Sequence, residues 1–374
     1  MFMKATFDRE GLLNALQLVG GVIPARTPRP VLQNIKLVAT KDKTVAMATD
    51  SESGGVVLEV RGVHVQEPGE ILLPKDQGIA VVREATDQEL QLDGDADHTL
   101  IVGENSEFEL PGEDPTVYPD VTRFEGETYH EIAAGSLREM IHRTIFAAAT
   151  ESHRYAMTGT MWELEDTRVR LVATDGKRLS MVDGVGTAHG EHGTGKQTPV
   201  VPTKVMQMLE RNLVDPDEPV RVRIGANEAL FKTSRAEIYG RLVEGRFPPY
   251  REVFPKKPAQ KIPLPVAGLM TVTRQAAILT GEDSRGVDFD FTDGRLTLKA
   301  RAADKGRAKV TLPVAYSGPE LGVTFDPKLV LDLLRVLEPD HEIVLELVDE
   351  ASAAVFRMSD KFAYLMMPLA RPTT

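Results

Sequence analysis

The chain has 374 residues, 42% of them hydrophobic and 27% charged, and no cysteine. Such a length suits two or three domains, while the missing thiols exclude disulfide frameworks, thiolate metal sites and cysteine nucleophiles and fit a reducing, cytoplasmic location. The net charge of -12, taken alone, argues against a generic nucleic-acid binder.

No apolar run approaches the roughly 18 residues of a membrane span, and Met1-Phe2-Met3-Lys4 lacks the apolar stretch of a signal peptide, so an unprocessed chain is expected. In chain order, Asp8 to Val19 predicts a helix. Asn34 to Thr40 and Thr44 to Asp50 alternate as two strands around a polar turn at Lys41 to Lys43. Leu72-Leu73-Pro74-Lys75 then ends a strand and opens another helix, with Pro where the first turn has no use for an N–H. The same three signs return in the same order. A helix is predicted over Ser136 to Ala149, with Leu137, Met140, Ile141 and Ile145 on one face. A hairpin follows over Gly159 to Leu164 and Val169 to Asp175, and Val200 to Lys204 repeats the Pro-marked helix start. The third set is a helix over Val266 to Thr280, a hairpin over Gly286 to Phe291 and Leu296 to Ala300 about Thr292-Asp293-Gly294, and the marker Val323 to Lys328.

Thr49-Asp50 and Thr174-Asp175 lie 125 residues apart, and Pro74, Pro202 and Pro327 follow each other at 128 and 125. Two marker sets on one period indicate an internal repeat of domain size, hence an α+β protein of three similar domains, each with two helices among many short strands. The expected boundaries are 1–125, 126–257 and 258–374, with Val121 to Gly126 and the Pro- and Lys-rich Phe254 to Pro258 between repeats. Over these spans the net charges are -11, +1 and -2. The acidity belongs mostly to the first domain and says little about any one surface.

No catalytic constellation emerges. Gly190-Glu191-His192-Gly193-Thr194-Gly195-Lys196 satisfies part of a phosphate-loop pattern, but Gln197 stands where a magnesium-binding Ser or Thr belongs and a strand, not a helix, follows. A flexible polar loop is expected there. Asp288 to Gly294 is out of register with a calcium loop and places Lys299 at its terminal-glutamate position. His189 and His192 lack a third ligand nearby in sequence, so neither a metal nor another cofactor is expected.

Three segments together, Val172-Ala173-Thr174-Asp175-Gly176-Lys177-Arg178-Leu179, Leu242 to Tyr250 with its Gly-Arg-Phe-Pro-Pro-Tyr, and Tyr364-Leu365-Met366-Met367-Pro368-Leu369, closely resemble the bacterial DNA polymerase sliding clamp, the beta subunit of DNA polymerase III. The resemblance runs from Met3 to nearly the end and includes Arg26-Thr27-Pro28 and Pro30-Val31-Leu32. It implies a non-enzymatic, ring-shaped homodimer of sliding-clamp domains, their helices lining a hole for double-stranded DNA and antiparallel sheets forming the outer wall. The predicted helices would bring to that hole Arg9, Lys75, Arg83, Arg138, Arg143, Lys204, Arg211, Arg274, Lys328 and Arg335, interleaved with Glu10, Glu84, Glu139, Glu210 and Asp332. Such sparse cations suit sliding, since each neutralised phosphate deepens the electrostatic trap.

The resemblance further implies DNA contacts at Arg26, Lys75, Arg154, Tyr155 and Lys204. It implies a hydrophobic pocket between the second and third domains for short peptides of the polymerase III catalytic subunit, the clamp loader, other polymerases and repair proteins. The matching positions are Met157, Thr174, Gly176, Lys177, Arg178, Leu179, Pro248, Val253, Leu365, Met367, Pro368 and Leu369, and for the subunit boundary Phe108, Ile278 and Leu279. The chain departs from the family pattern at Glu151, Ala156 and Ala370. The residues alone also leave open a nucleotide-binding enzyme using the Gly190 to Lys196 loop, and a repeat-built adhesion or carbohydrate-binding module.

Overall fold

A computed structural model of the chain describes residues 2–151, 155–281 and 285–370. It forms two compact units, one of Met1–Arg138, Leu164–Thr167 and Gly186–Val243, the other of Glu139–Glu163, Arg168–Val185 and Glu244–Thr374.

Six α-helices occur among the described residues: α1 (Arg9–Gly20), α2 (Lys75–Glu84), α3 (Ala134–His142), α4 (Thr203–Asn212), α5 (Val266–Ala277) and α6 (Pro327–Leu334). None is long and apolar enough to cross a membrane. Their starts follow local chemistry. Asp8 caps α1 by accepting the Gly11 N–H at 2.6 Å, and Asp326 caps α6 through the Lys328 N–H at 2.9 Å with Pro327 in the first turn. Pro74 and Pro202 precede α2 and α4. On α1, Leu12, Ala15, Leu16 and Val19 are buried, a three-to-four spacing that turns one stripe to the sheets and leaves the other in water.

The expected helix over Ser136 to Ala149 stops early, at His142. Its apolar spacing continues past that point, but the Thr144 hydroxyl donates back to the Met140 carbonyl at 2.8 Å, and a short 3-10 turn, Ile145–Ala147, follows. The expected helix over Val266 to Thr280 likewise ends at Ala277, where the Thr280 hydroxyl donates to the Ala277 carbonyl at 2.8 Å.

The three hairpins form as Asn34–Ala39 with Thr44–Thr49, Gly159–Glu165 with Arg168–Thr174, and Val287–Thr292 with Arg295–Ala302. In the first unit a five-stranded sheet runs Val63–Glu67, Met3–Asp8, Glu89–Gly94, His98–Val102, Glu107–Pro111. A nine-stranded sheet carries the first hairpin at one end and Tyr129–Ala133 with Thr187–His189 at the other, joined through Gly54–Val60 and Ala236–Arg241. In the second unit Arg168–Thr174, Arg178–Val185, Phe362–Met366, Ala354–Ser359, Glu342–Leu347 and Gln260–Pro265 lie side by side in that order. A separate four-stranded sheet runs Gly306–Pro313, Arg295–Ala302, Val287–Thr292, Leu321–Phe325. Each pairing whose register is resolved is antiparallel, including Leu179 opposite Leu365.

The connector Val121 to Gly126 is strapped to the sheet. Val121 is buried with Val45 and Val57, and Glu237 takes the Arg123 guanidinium at 2.8 and 3.3 Å and the Phe124 N–H at 3.0 Å. Burial opposes the Glu237 charge, but these hydrogen bonds outweigh it and bring its pKa down to about 2.

Candidate functional site

The turn Asp175 to Lys177 is built by its own side chains. Thr174 Oγ1 donates to the Arg178 carbonyl at 2.6 Å and accepts the Gly176 N–H at 3.1 Å, while Asp175 Oδ1 accepts the N–H groups of Lys177 and Arg178 at 2.9 and 3.0 Å. Gly176 sits at φ +87°, a left-handed position that glycine takes without strain.

Arg178 is the centre of this frame. Its Nε meets Asp175 at 3.0 Å, Nη1 meets Asp332 of α6 at 2.7 Å, and Nη2 donates to the Phe146 carbonyl at 2.8 Å. The guanidinium also lies 5.6 Å from the Phe146 ring centroid. Burial works against its charge, yet the Asp332 hydrogen bond and neighbouring groups prevail and raise its pKa. The early end of α3 explains the Phe146 contact, because the 3-10 turn aims that carbonyl at the guanidinium. Tyr364, fully buried, stacks on Phe146 at 5.7 Å and donates to the Leu329 carbonyl at 3.1 Å.

The C-terminal strand passes beside this turn. Leu179 and Leu365 face each other and are buried, as is Met366. The strand then leaves the sheet: the Met367 N–H bonds the Lys177 carbonyl at 3.0 Å and the Leu369 N–H bonds the Thr324 carbonyl at 2.8 Å. Two backbone bonds thus fix a segment whose apolar side chains stay in water, Met367 at 45% exposure and Leu369 at 38%. Val253 is also exposed, and Pro248 and Met157 are half-buried. Alternation cannot bury all of Leu365, Met366 and Met367, and the structure leaves out the last.

A second network holds the Gly245 to Tyr250 segment. Arg170 forks onto Asp183 with two bonds of 2.7 Å and donates to the Tyr250 hydroxyl at 3.3 Å, and that hydroxyl donates to Glu163 at 2.9 Å. Arg251 returns to Glu163 at 2.6 and 2.8 Å and lies 4.8 Å from the Tyr250 ring centroid. Burial raises the Tyr250 pKa.

Sequence profiles of three domains of the DNA polymerase III beta subunit match the chain: the N-terminal domain over residues 3–122, the central domain over 131–249 and the C-terminal domain over 251–370. The chain belongs to the DNA polymerase III beta subunit family. The beta sliding clamp of Escherichia coli K12 is 30% identical over 373 residues, covering 98% of this chain and 100% of that one. A Pseudomonas aeruginosa sliding clamp crystallised with griselimycin superposes with a TM-score of 0.91 at 28% identity, over 99% of this chain and 100% of that one. For fold alone, the Bacillus subtilis clamp gives 0.91 at 23% identity, over 100% of both chains. The function of this family chain is that of a DNA sliding clamp, a processivity scaffold and not an enzyme.

All twelve residues named for the peptide pocket lie in the second unit. Thr174, Gly176, Lys177, Arg178 and Leu179 form the turn and its strand, and Leu365, Met367, Pro368 and Leu369 run beside them. Sequence reasoning missed Phe146 and placed Asp332 among bore acids, whereas Asp332 holds Arg178. An arginine inside the Thr-Asp-Gly turn motif is the available signal, since once half-buried it must find acidic and carbonyl partners somewhere.

Of the residues expected to contact DNA, Arg26 is exposed in the loop after α1, and Lys204 donates to the Val22 carbonyl of the same loop at 2.7 Å with Asp50 at 3.5 Å. Lys75 is half-buried, its ammonium 3.5 Å from Asp76. Lys75 also joins Ile23, Pro24 and Ala25 in lining a polar cavity of about 300 Å³. Arg26, Lys75 and Lys204 therefore gather about one loop. Tyr155 is half-buried, and Arg154 lies outside the described residues. Of the cations expected on helices, Arg83, Arg138, Arg211, Arg274, Lys328 and Arg335 are exposed. Arg143 is drawn inward, 2.6 Å from Glu139 and 5.8 Å from the Phe362 ring centroid, so it contributes packing and not a free charge.

The Gly190 to Lys196 loop is pinned where a flexible one was expected. The Thr194 N–H donates to the Leu164 carbonyl at 3.0 Å, and Thr194 Oγ1 accepts the Leu164 N–H at 3.1 Å. His192 Nε2 accepts the Ile224 N–H at 3.1 Å, so its Nδ1 carries the proton and donates to His130 Nδ1 at 2.7 Å; His130 Nε2 then donates to the Asp166 carbonyl at 3.1 Å. Burial lowers the pKa of both rings. His189 stacks on Tyr129 at 4.6 Å and lies 4.0 Å from Glu131. Proximity between His130 and His192, 62 positions apart, carries no local sequence signal.

Proposed function

We propose that two copies of this chain close into a ring around duplex DNA and present, on each chain, a docking groove for clamp-binding peptides of the polymerase III catalytic subunit, the clamp loader, other polymerases and repair proteins. The clamp domains are taken as 1–125, 126–257 and 258–374, working in the cytoplasm without a cofactor. The observation that carries the docking reading is the exposed Met367 and Leu369 on backbone anchored to Lys177 and Thr324. Exposed apolar side chains on a fixed frame suit an apolar ligand, and flexible Met and Leu re-pack around varied sequences. Val253, Pro248 and Met157 extend that surface, and Lys177 supplies a charge at its rim.

The DNA reading rests on the dispersed exposed cations and on Arg26, Lys75 and Lys204, with Arg154 and Tyr155 joining them by family pattern. Backbone phosphates are their natural partner, since dispersed single cations on water-exposed helix faces suit sequence-independent contact. Phe108, 40% exposed, and Ile278, 71% exposed, are large apolar residues left in water, and with Leu279 they support the subunit boundary.

Met367→Ala with Leu369→Ala should weaken a polymerase-derived peptide by about a hundredfold, on the order of 2 to 3 kcal/mol, and leave the thermal midpoint and dimer mass unchanged. Unaltered affinity by calorimetry would remove the groove. After loading, retention on circular but not linear DNA is expected, and equal retention on linear DNA with free ends would refute encirclement.

A further inference from the structure

The nine-stranded sheet of the first unit carries a basic cavity on one face. Residues directly opposite in neighbouring strands project to the same side, so the pairs Val45 with Glu59, Val57 with Glu237 and Glu237 with Lys232 define that face. Over it lies a cavity of about 190 Å³, lined by four cations, Lys43, Arg123, Lys232 and Arg235, and by two carboxylates, Glu59 and Glu237. The balance is positive.

Glu237 is already committed to the connector. It takes the Arg123 guanidinium and the Phe124 N–H, and Lys232 stands 3.3 Å from it. Glu59 is exposed and, among the described residues, reaches none of the four cations within ion-pair distance. Lys43 and Arg235 have no carboxylate within that distance among the described residues either. Arg235 is half-buried, and burial together with the neighbouring Arg61 lowers its pKa, an effect that Glu218 offsets only in part. A desolvated guanidinium beside a second one lacks a counter-charge.

The backbone keeps these cations in place. At the turn before Ala236–Arg241, Thr233 Oγ1 accepts the Ala236 N–H at 3.0 Å, the Ser234 N–H donates to Glu218 at 2.9 Å, and the Arg235 carbonyl accepts the Glu59 N–H at 2.8 Å. Lys43 is held by Thr40, whose hydroxyl donates to the Lys43 carbonyl at 2.8 Å and accepts its N–H at 3.1 Å. Ordering a ligand between fixed supports costs less conformational freedom than gathering loose ones.

We propose that this cavity binds a diphosphate group, either as the free anion or as the tail of a nucleotide. A volume of about 190 Å³ is several times the roughly 30 Å³ share of one water molecule, and the unneutralised cations call for more than one negative charge. Arg235 supplies a fork for two phosphate oxygens and Lys43 a point charge. A second cavity of about 470 Å³ adjoins the first, shares Val57 and Arg123 with it, and adds Met47, Val121 and Leu230 as apolar lining. A nucleoside attached to the diphosphate has that space to enter.

Calorimetric titration of the full chain with magnesium-free sodium diphosphate, orthophosphate and ADP tests the site. Diphosphate should bind at least about tenfold more tightly than orthophosphate, and its affinity should fall as salt is added. Lys43→Gln with Arg235→Gln should weaken diphosphate at least about tenfold, whereas Glu59→Gln, which removes a repelling carboxylate, should tighten it by about threefold. Lys196 is exposed and outside the cavity, so Lys196→Gln should bind as the parent does. Lys43 and Glu59 are also exposed, and their single substitutions carry the test if Arg235→Gln fails to fold, which thermal midpoints check. ADP binding more tightly than diphosphate assigns the nucleoside to the adjoining cavity; ADP binding no more tightly marks a site for the free anion. No saturable binding of either, an equal loss in Lys196→Gln, or weaker binding in Glu59→Gln would overturn the site.

Discussion

Arginine serves this chain in two contrasting regions. At the Asp175 to Lys177 turn, Arg178 has every guanidinium edge engaged, by two carboxylates, a carbonyl and an aromatic ring. On the helix surfaces, Arg138, Arg211 and Arg274 are exposed. The first arrangement fixes a shape at the cost of desolvating a charge; the second keeps a charge hydrated and movable, which sliding along phosphates requires. A docking surface gains from pre-organisation because fewer rotamers freeze on binding. A sliding surface gains from its absence.

The largest expected effect follows from breaking the fixed region. Arg178→Ala leaves Asp175 and the Phe146 carbonyl without this cation, while Asp332 keeps Arg335, at 2.7 Å. Urea unfolding should show a loss of about 2 to 4 kcal/mol, with peptide affinity falling alongside. Arg178→Lys should recover less than half, since one ammonium cannot span acceptors on three elements. Full recovery by lysine would mean that charge alone, and not the fork, maintains the turn.

A smaller effect, confined to the other unit, separates ionic from neutral fastening. The Gly190 to Lys196 loop is held through two histidines that must both stay uncharged, because a proton added to His192 Nε2 or His130 Nδ1 removes the lone pair already accepting a hydrogen bond. Arg223 adds to the cost of charging His192, while Glu131 stands near His189. Both histidine pKa values lie below the ordinary 6.5. The unfolded chain therefore takes up these protons first, so the contribution is complete above pH 6.5 and is lost as pH falls through the depressed folded values. Hydrogen exchange at the Ile224 amide should accelerate on acidification beyond the intrinsic trend. In His192→Ala that amide should exchange fast at every pH; a parent amide equally protected at acid and neutral pH would sink the account.

What the sequence made legible was whatever repeats locally. Alternation located the three hairpins to within a few residues, and prolines at 74, 202 and 327 marked three helix starts. Periodicity overran α3 because Ile145 continues the apolar spacing after Thr144 has already closed the helix on Met140. Glycine content made the Gly190 to Lys196 loop read as flexible, whereas Thr194 and His192 pin it through partners 30 and 32 positions away. The acids that fix Arg178 divide along the same line: Asp175 is a neighbour and readable, but Asp332 lies 154 positions off and becomes a partner only through the fold. The net charge of -12 pointed away from DNA because it sums surfaces that do different work.

The smallest expected effect tests the loose region directly. If the helix-surface cations act as a dispersed set, Arg138→Ala, Arg211→Ala or Arg274→Ala alone should change DNA affinity by less than about threefold at physiological salt. Each should lower the slope of log affinity against log salt by no more than about 0.9, the value for one phosphate contact. The triple substitution should lower the slope roughly additively, since distant, unshared contacts add. Arg178→Ala should leave that slope unchanged while abolishing tight peptide binding, so the two populations separate on two axes measured with the same protein. A single exposed arginine whose loss eliminated DNA binding would show a specific anchor where this reading has only a field of weak contacts, and the contrast between fixed and free cations would fail at that residue.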